Sequence, residues 1–357
     1  MPQKITTRVL QNRAQRLVDA QNMRDLSPML RTDSVRLATM AADPKYREYQ
    51  IPKKTPGTFR QIEDPDDHLK KAQRHLNAHL QALYYQIRHP AAYGFVTCPT
   101  DDHAPRNILS NATRHLGAQW LLNVDMQDFF HLIKEKHVAD FFATPQLNFK
   151  KLTAKRLAAL CCYKGRLPMG APTSPAISNF IAYPLDVALQ DFADDRGWTY
   201  TRYADDLSFS SLGVPITRDE VPDIAAIVVA HDLKLNPAKS KLFGPDASEK
   251  SVTGLVLGPE GVALSQAYVQ NLQDGIAKLS SVLDTRYLMP SGRKKNTLWV
   301  TEMEQRIRGR VEFAKSILPE DDTLRIQLEM AYADALDPPK TYGQVSWMDL
   351  GYDFFTA

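Results

Sequence analysis

Two adjacent acids at the tip of a strand pair constrain this chain more than any other feature. Tyr203-Ala204-Asp205-Asp206 stands between Thr199-Tyr200-Thr201-Arg202 and Leu207-Ser208-Phe209-Ser210, two segments with strand character. A buried strand does not end in two carboxylates unless something neutralises them, because a charge held away from water is costly. A third acid, Asp125, closes the apolar run Trp120-Leu121-Leu122-Asn123-Val124. If these strands are neighbours, three carboxylates converge on one sheet edge. Hard oxygen donors of that kind suit Mg²⁺, which keeps waters and completes its shell with substrate phosphates. Two such ions would activate an attacking hydroxyl and stabilise a leaving pyrophosphate. Context sets this pair apart from Asp194-Asp195, which precedes Arg196-Gly197 and reads as a solvated helix end.

The rest of the chain predicts a mixed α/β core followed by a helical C-terminal part. Residues 8–42 read as two helices, the second capped by Thr32, Asp33 or Ser34. Residues 45–64 alternate around a Lys53-Lys54-Thr55-Pro56-Gly57 turn and predict a hairpin. Helices are expected over 66–88 and 173–195, the latter kinked at Pro184. A second hairpin is expected at 252–257 and 262–264, then helices at Gln266–Leu283 and Asn296–Leu318.

Composition excludes several classes. Apolar runs fall short of the roughly 18 residues a membrane helix needs, and the N-terminus lacks a signal-peptide core, so a cytoplasmic protein without membrane partners is expected. Cys98, Cys161 and Cys162 make no disulfide framework and lack metal-ligand spacing. His75 and His79 lie four apart but outside an HExxH pattern, and read as surface or core histidines. The net charge of +3 conceals an asymmetry: residues 1–316 carry 42 bases and 33 acids, the remainder two bases and eight acids. Bases concentrate in Lys150–Arg166 and Arg286–Arg310, as phosphate binding requires, although a solvated helix face has the same look. In the acidic tail, Trp347, Met348, Leu350, Tyr352, Phe354 and Phe355 suggest either a docking segment or a poorly ordered terminus.

Three strings in order, Asp125-Met126-Gln127-Asp128-Phe129-Phe130, Leu167-Pro168-Met169-Gly170-Ala171-Pro172-Thr173-Ser174-Pro175 and Tyr203-Ala204-Asp205-Asp206, resemble the palm motifs of a reverse transcriptase. The resemblance covers about residues 30–315. It implies an α/β (α+β) right-hand polymerase: fingers, a palm of antiparallel sheet with helices, and a helical thumb. The implied division is an N-terminal helical extension at 1–44, fingers at 45–120, palm at 121–262 with a fingers portion near 131–170, thumb at 263–318 and an acidic tail at 319–357. By position, Asp125, Asp205 and Asp206 would be the catalytic residues and hold two Mg²⁺ ions. The implied nucleotide-binding set is Arg60 on the incoming triphosphate with Lys53 or Lys54 assisting, Phe130 as a gate beneath the sugar, Met169 and Gly170 in the pocket loop, Tyr203, and Lys239 near the leaving pyrophosphate. An exposed hairpin charge for Arg60 and a core ring for Phe130 are the plainer alternatives. The family usually has Gln where this chain has Met169; methionine cannot reproduce that hydrogen bond, which bears on nucleotide affinity or fidelity and leaves the metal chemistry untouched.

Two further strings narrow the resemblance. Asn111-Ala112-Thr113-Arg114-His115 is similar to the NAxxH signature of retron reverse transcriptases, and Val252-Thr253-Gly254 to their VTG triplet. A helix cap at Asn111 and a turn at Gly254 are the local alternatives. The retron resemblance implies an enzyme that binds a structured non-coding RNA of msr–msd type and primes from an internal guanosine 2′-OH. It would join deoxynucleotides from their triphosphates into branched RNA–DNA (msDNA). The resemblance further implies antiphage defence, a separate effector protein and template removal by a host RNase H. Asn111, His115, Val252, Thr253 and Gly254, with Arg293, Lys294, Lys295, Arg306, Arg308 and Arg310, are expected to contact RNA. Two other readings stay open: another bacterial reverse transcriptase, intron-type or defence-associated, primed from a 3′-OH, and a polymerase-like RNA-binding antitoxin scaffold.

Overall fold

Local signals explain where the first elements start. In the computed structural model, which describes residues 5–52, 57–288 and 297–336, Thr6 caps α1 (Thr7–Asp19) and Asn22 forms a capping box with Asp25 on α2 (Met23–Leu30). Asp33 then caps α3 (Ser34–Ala42). The N-terminal stretch is thus three helices, not the two expected. The break at Ala20–Asn22 carries no Gly or Pro, and its signal is the Asn22 box. The hairpin follows as β1 (Tyr46–Pro52) and β2 (Phe59–Pro65), and α4 (Asp67–Ile87) runs from its Asp66 cap along the core. The expected sites Lys53, Arg293, Lys294 and Lys295, and the tail from residue 337, lie outside the described residues.

Next come α5 (Ile108–Thr113), β3 (Trp120–Met126), α6 (Phe129–Leu132), α7 (Glu135–Phe142) and α8 (Lys151–Cys161). The helix expected over 173–195 is two, α9 (Ser174–Ile181) and α10 (Tyr183–Asp194), because Pro184 in the first turn of α10 forces a fresh start after Ala182. After α10 come β4 (Thr199–Tyr203), β5 (Asp206–Ser211), α11 (Val221–Ala230), β6 (Leu235–Phe243) and β7 (Ser251–Val252). Four strands form an antiparallel sheet in the order β4-β5-β3-β6. Leu122, Val124, Leu207 and Phe209 enter the main core with helical residues such as Leu185, Leu189 and Phe142. Along β5, Ser208 and Ser210 alternate with Leu207 and Phe209, so one face of the strand is polar. Cys161 and Cys162 are buried in this core, whereas Cys98 is exposed.

A second compact unit starts at Gly254. It comprises the hairpin β8 (Leu255–Gly258) and β9 (Gly261–Leu264), then α12 (Gln266–Leu288), α13 (Thr297–Ile317) and α14 (Thr323–Leu336). The hairpin belongs with these helices because β9 packs on α13. Gly275 lets α12 and α13 approach closely: Ile307 Cδ1 stands 2.6 Å from where a Cβ would be.

Candidate active site

Register brings the acids together. Asp125, next to last in β3, lies opposite Asp206, the first residue of β5, and Asp206 lies opposite Tyr203 at the end of β4. Between them Ala204 turns the chain with φ 58°. That left-handed backbone costs an L-residue roughly 1–2 kcal/mol, so the turn must be held by its surroundings.

The clamp is a buried ion pair. Arg202 and Asp186 are both fully buried. Arg202 donates from Nε and Nη2 to the two Asp186 oxygens, each at 2.7 Å, and from Nη1 to Asn179 Oδ1 at 3.0 Å and to the Ala204 carbonyl at 3.1 Å. The Tyr200 hydroxyl donates to Asp186 at 2.9 Å. From the other side Gly94 presses on the turn: a Cβ there would stand 2.3 Å from Ala204 N. Asn179 Nδ2 donates to the Gly94 carbonyl at 3.0 Å, closing the ring. Sequence reasoning missed the role of these five residues. The available signal was an Arg inside an otherwise uncharged strand, matched by the acid in the apolar helical string Leu185-Asp186-Val187-Ala188-Leu189.

Electrostatics at the strand ends favour a bound cation. The surrounding protein, then repulsion from Asp205 and Asp125, pushes the Asp206 carboxyl up to about 6, although its side chain reaches solvent. Asp205 is raised for similar reasons, burial first, while Lys239 and the exposed Arg60 act in the opposite sense. Lys239 Nζ donates to both Asp125 oxygens, at 2.9 and 3.0 Å. With Asp125 so engaged, no three carboxylate, imidazole or thiol groups among the described residues enclose a metal site as they stand. The donor set still fits a hard divalent ion: three carboxylates share one edge, and two of them are unfavourable as anions without a counter-charge.

Other expected residues fall around this edge. Phe130 is half-buried, its ring centroid 5.9 Å from Phe95 and 5.7 Å from the core ring Phe129. The Met169 carbonyl accepts from Glu63 N at 2.8 Å, tying the Pro168–Gly170 loop to the strand that carries Arg60. Gly170, at φ 130°, admits no side chain; a Cβ would meet the Glu63 carbonyl at 2.9 Å. Arg166 fixes the same strand through two 2.8 Å bonds to the buried Glu63 carboxylate.

Of the residues expected to contact RNA, Asn111, His115 and Val252 are buried. The His115 ring lies between β4 and β5, Nδ1 2.7 Å from Ser210 Oγ and Nε2 2.7 Å from Thr201 Oγ1, and burial pushes its pKa down to about 3. The cap of α5 is Asn107, not Asn111. Thr253 and Gly254 form a tight turn with φ 51° and 86°. In the second unit Arg306 and Arg308 are exposed, and Arg310 donates to the Asn271 carbonyl at 3.1 Å and lies over the Tyr268 ring.

The family described as Reverse transcriptase (RNA-dependent DNA polymerase) matches residues 51–272. The Escherichia coli retron Ec86 reverse transcriptase is 35% identical over 248 residues, 69% of this chain and 74% of that protein. The chain belongs to the retron-type reverse transcriptases. The Myxococcus xanthus retron Mx162 reverse transcriptase is 32% identical over 280 residues, 71% of this chain and 55% of that protein. A third relative, the Escherichia coli retron Ec83 reverse transcriptase, is 33% identical over 185 residues, 46% of this chain and 53% of that protein. The retron-type enzyme is therefore an RNA-directed DNA polymerase with a right-hand polymerase fold. Reverse transcriptases use divalent metal ions. No helix among the described residues is long and apolar enough to cross a membrane.

Proposed function

We propose that this retron-type reverse transcriptase binds a structured msr–msd-type RNA in the cytoplasm, primes from an internal guanosine 2′-OH and copies part of that RNA into branched msDNA. The observation that carries the catalytic reading is the register of Asp125, Asp205 and Asp206 on one sheet edge beside Lys239. The 2′-OH priming is carried over from the retron family, as are the antiphage role, the separate effector and template removal by host RNase H.

Asp125, Asp205 and Asp206 would hold two Mg²⁺ ions. Bound there, the ions would activate the attacking hydroxyl and stabilise the leaving pyrophosphate. The residues of this chain do the rest. Arg60, exposed on β2 and close enough to act on Asp205, binds the triphosphate of the incoming deoxynucleotide. The Phe130 ring, backed by Phe95 and Phe129, floors the sugar pocket and excludes a 2′-OH. Tyr203, Met169 and Gly170 border the nucleotide, with Lys53 as a further cation toward it. Lys239 places its ammonium where pyrophosphate charge develops. Thr253-Gly254 and the exposed Arg306 and Arg308, with Arg293, Lys294 and Lys295, contribute to RNA binding. The fingers take 45–120 with a portion near 131–170, following the 1–44 extension. The palm takes 121–262 and the helical thumb 263–318, before the acidic tail 319–357.

The test is to express the chain with a candidate msr–msd RNA and analyse the DNA. The expected product is branched, and Asp205→Asn abolishes it while RNA binding is retained. A linear product extended from a 3′-OH, or a product that survives Asp205→Asn, overturns the reading.

A further inference from the structure

The 45 residues between Asp140 and Asp186 contain no acid and six cations: Lys150, Lys151, Lys155, Arg156, Lys164 and Arg166. The fold divides them. Lys164 pairs with Glu48 at 2.6 Å and Arg166 with Glu63 at 2.8 Å, both on the β1–β2 hairpin. The other four are exposed, and none has an ion pair among the described residues. They sit at the start of α8 and on its outer face, while Thr153, Ala154, Leu157, Ala158, Leu160 and Cys161 face inward. Lys151 and Lys155 are four apart, as are Leu152 and Arg156, so two adjacent rows rise about 6 Å per step. Leu152 lies between the cations, 61% exposed. Like charges at this spacing destabilise a free helix, so the face is costly until something anionic covers it.

We propose that the Lys150–Arg156 face of α8 docks the phosphate backbone of a paired stem in the RNA that this enzyme carries, an inference that rests on the retron reading. The face holds cations and one aliphatic side chain, with no aromatic ring and no Asn or Gln. Single strands are gripped by stacking on aromatics, whereas paired RNA is read by shape and phosphates, which is what this face offers. It is also separate from catalysis, because the cations that act on Asp205 are Lys239 and Arg60.

The test uses the full-length chain and a labelled RNA hairpin with a stem of about 20 base pairs. In Lys151→Glu/Lys155→Glu/Arg156→Glu, affinity at about 150 mM salt falls more than tenfold. The slope of log Kd against log salt shrinks by about 2–3. The corresponding triple Gln variant moves both readouts in the same direction by less, and the thermal midpoint stays at the parent value in both variants. Affinity and slope within twofold of the parent overturn the proposal. So does a loss confined to single-stranded RNA or to a DNA hairpin. Intact RNA affinity with lost binding of a peptide spanning 337–357 would assign the face to the chain's own acidic segment, and would also overturn it. Failure of the parent enzyme to make branched DNA from a candidate msr–msd RNA would instead break the retron reading, which the binding data do not touch.

Discussion

His115 shows how one buried side chain links a family signature to acid stability. Both ring nitrogens sit 2.7 Å from hydroxyls on neighbouring strands, and the folded pKa is pushed down to about 3 from an ordinary 6.5. Above about 6.5 both folded and unfolded chains keep the ring neutral, and the group contributes no pH dependence. Below that, the unfolded chain takes up a proton that the folded chain refuses, so stability falls as pH drops from 6.5 toward 3. His115→Gln keeps a donor and an acceptor but removes the titration. Between pH 7.5 and 5.0 the parent should lose about 2 kcal/mol that the variant retains. Urea unfolding of both chains at the two pH values checks this, and equal losses would contradict it. The sequence marked His115 but gave no sign of its burial or its two hydroxyl partners. A motif match says that a residue type belongs at a position; only burial says whether it faces a partner or the core.

At the level of elements, the pair Arg202–Asp186 decides whether the acidic turn keeps its shape. Replacing Asp186 with Ala leaves a buried guanidinium with one partner lost, which should cost about 3–5 kcal/mol. The double variant Arg202→Met/Asp186→Leu removes both charges and should recover much of that stability. It should still polymerise at least tenfold more slowly than the parent, because the Ala204 carbonyl has lost its donor. Thermal melts and single-nucleotide incorporation separate the two effects; a double variant with parental rate would remove the clamp from the mechanism. Periodicity made several elements legible beforehand. The 45–64 hairpin, the 66–88 helix and the strand ending at Asp125 all appear where their apolar spacing put them. β6 was not legible. It is a largely exposed edge strand containing Pro237, with a register shift opposite Asn123–Asp125, so neither alternation nor composition marks it. Lys239 nonetheless reaches Asp125 from that strand.

Across the whole molecule, charge proves informative only when divided. The sheet edge that gathers the three acids and Lys239 was legible because the ordered motifs put particular residue types at those strand ends. The surroundings of the basic residues were not, since a basic residue looks alike in sequence whether it stands exposed or ties helices together. Arg306, Arg308 and Arg310 make the point: two are exposed, and the third bonds the Asn271 carbonyl at 3.1 Å. Arg306→Ala/Arg308→Ala should weaken binding of the RNA hairpin several-fold without moving the thermal midpoint. Arg310→Ala should lower stability by about 1 kcal/mol with the smaller effect on binding. Parallel melts and titrations of the two variants would expose the reverse pattern.

The distribution of thiols has a practical consequence. Cys98 is the one exposed sulfhydryl of three, its Sγ 3.3 Å from the Arg106 carbonyl, on the loop that follows Gly94. It lies near enough to Tyr203 to affect that phenol. A maleimide dye should therefore label the natural chain at a single place, with no engineered cysteine. Its fluorescence should report, in real time, on nucleotide arriving beside the acidic turn.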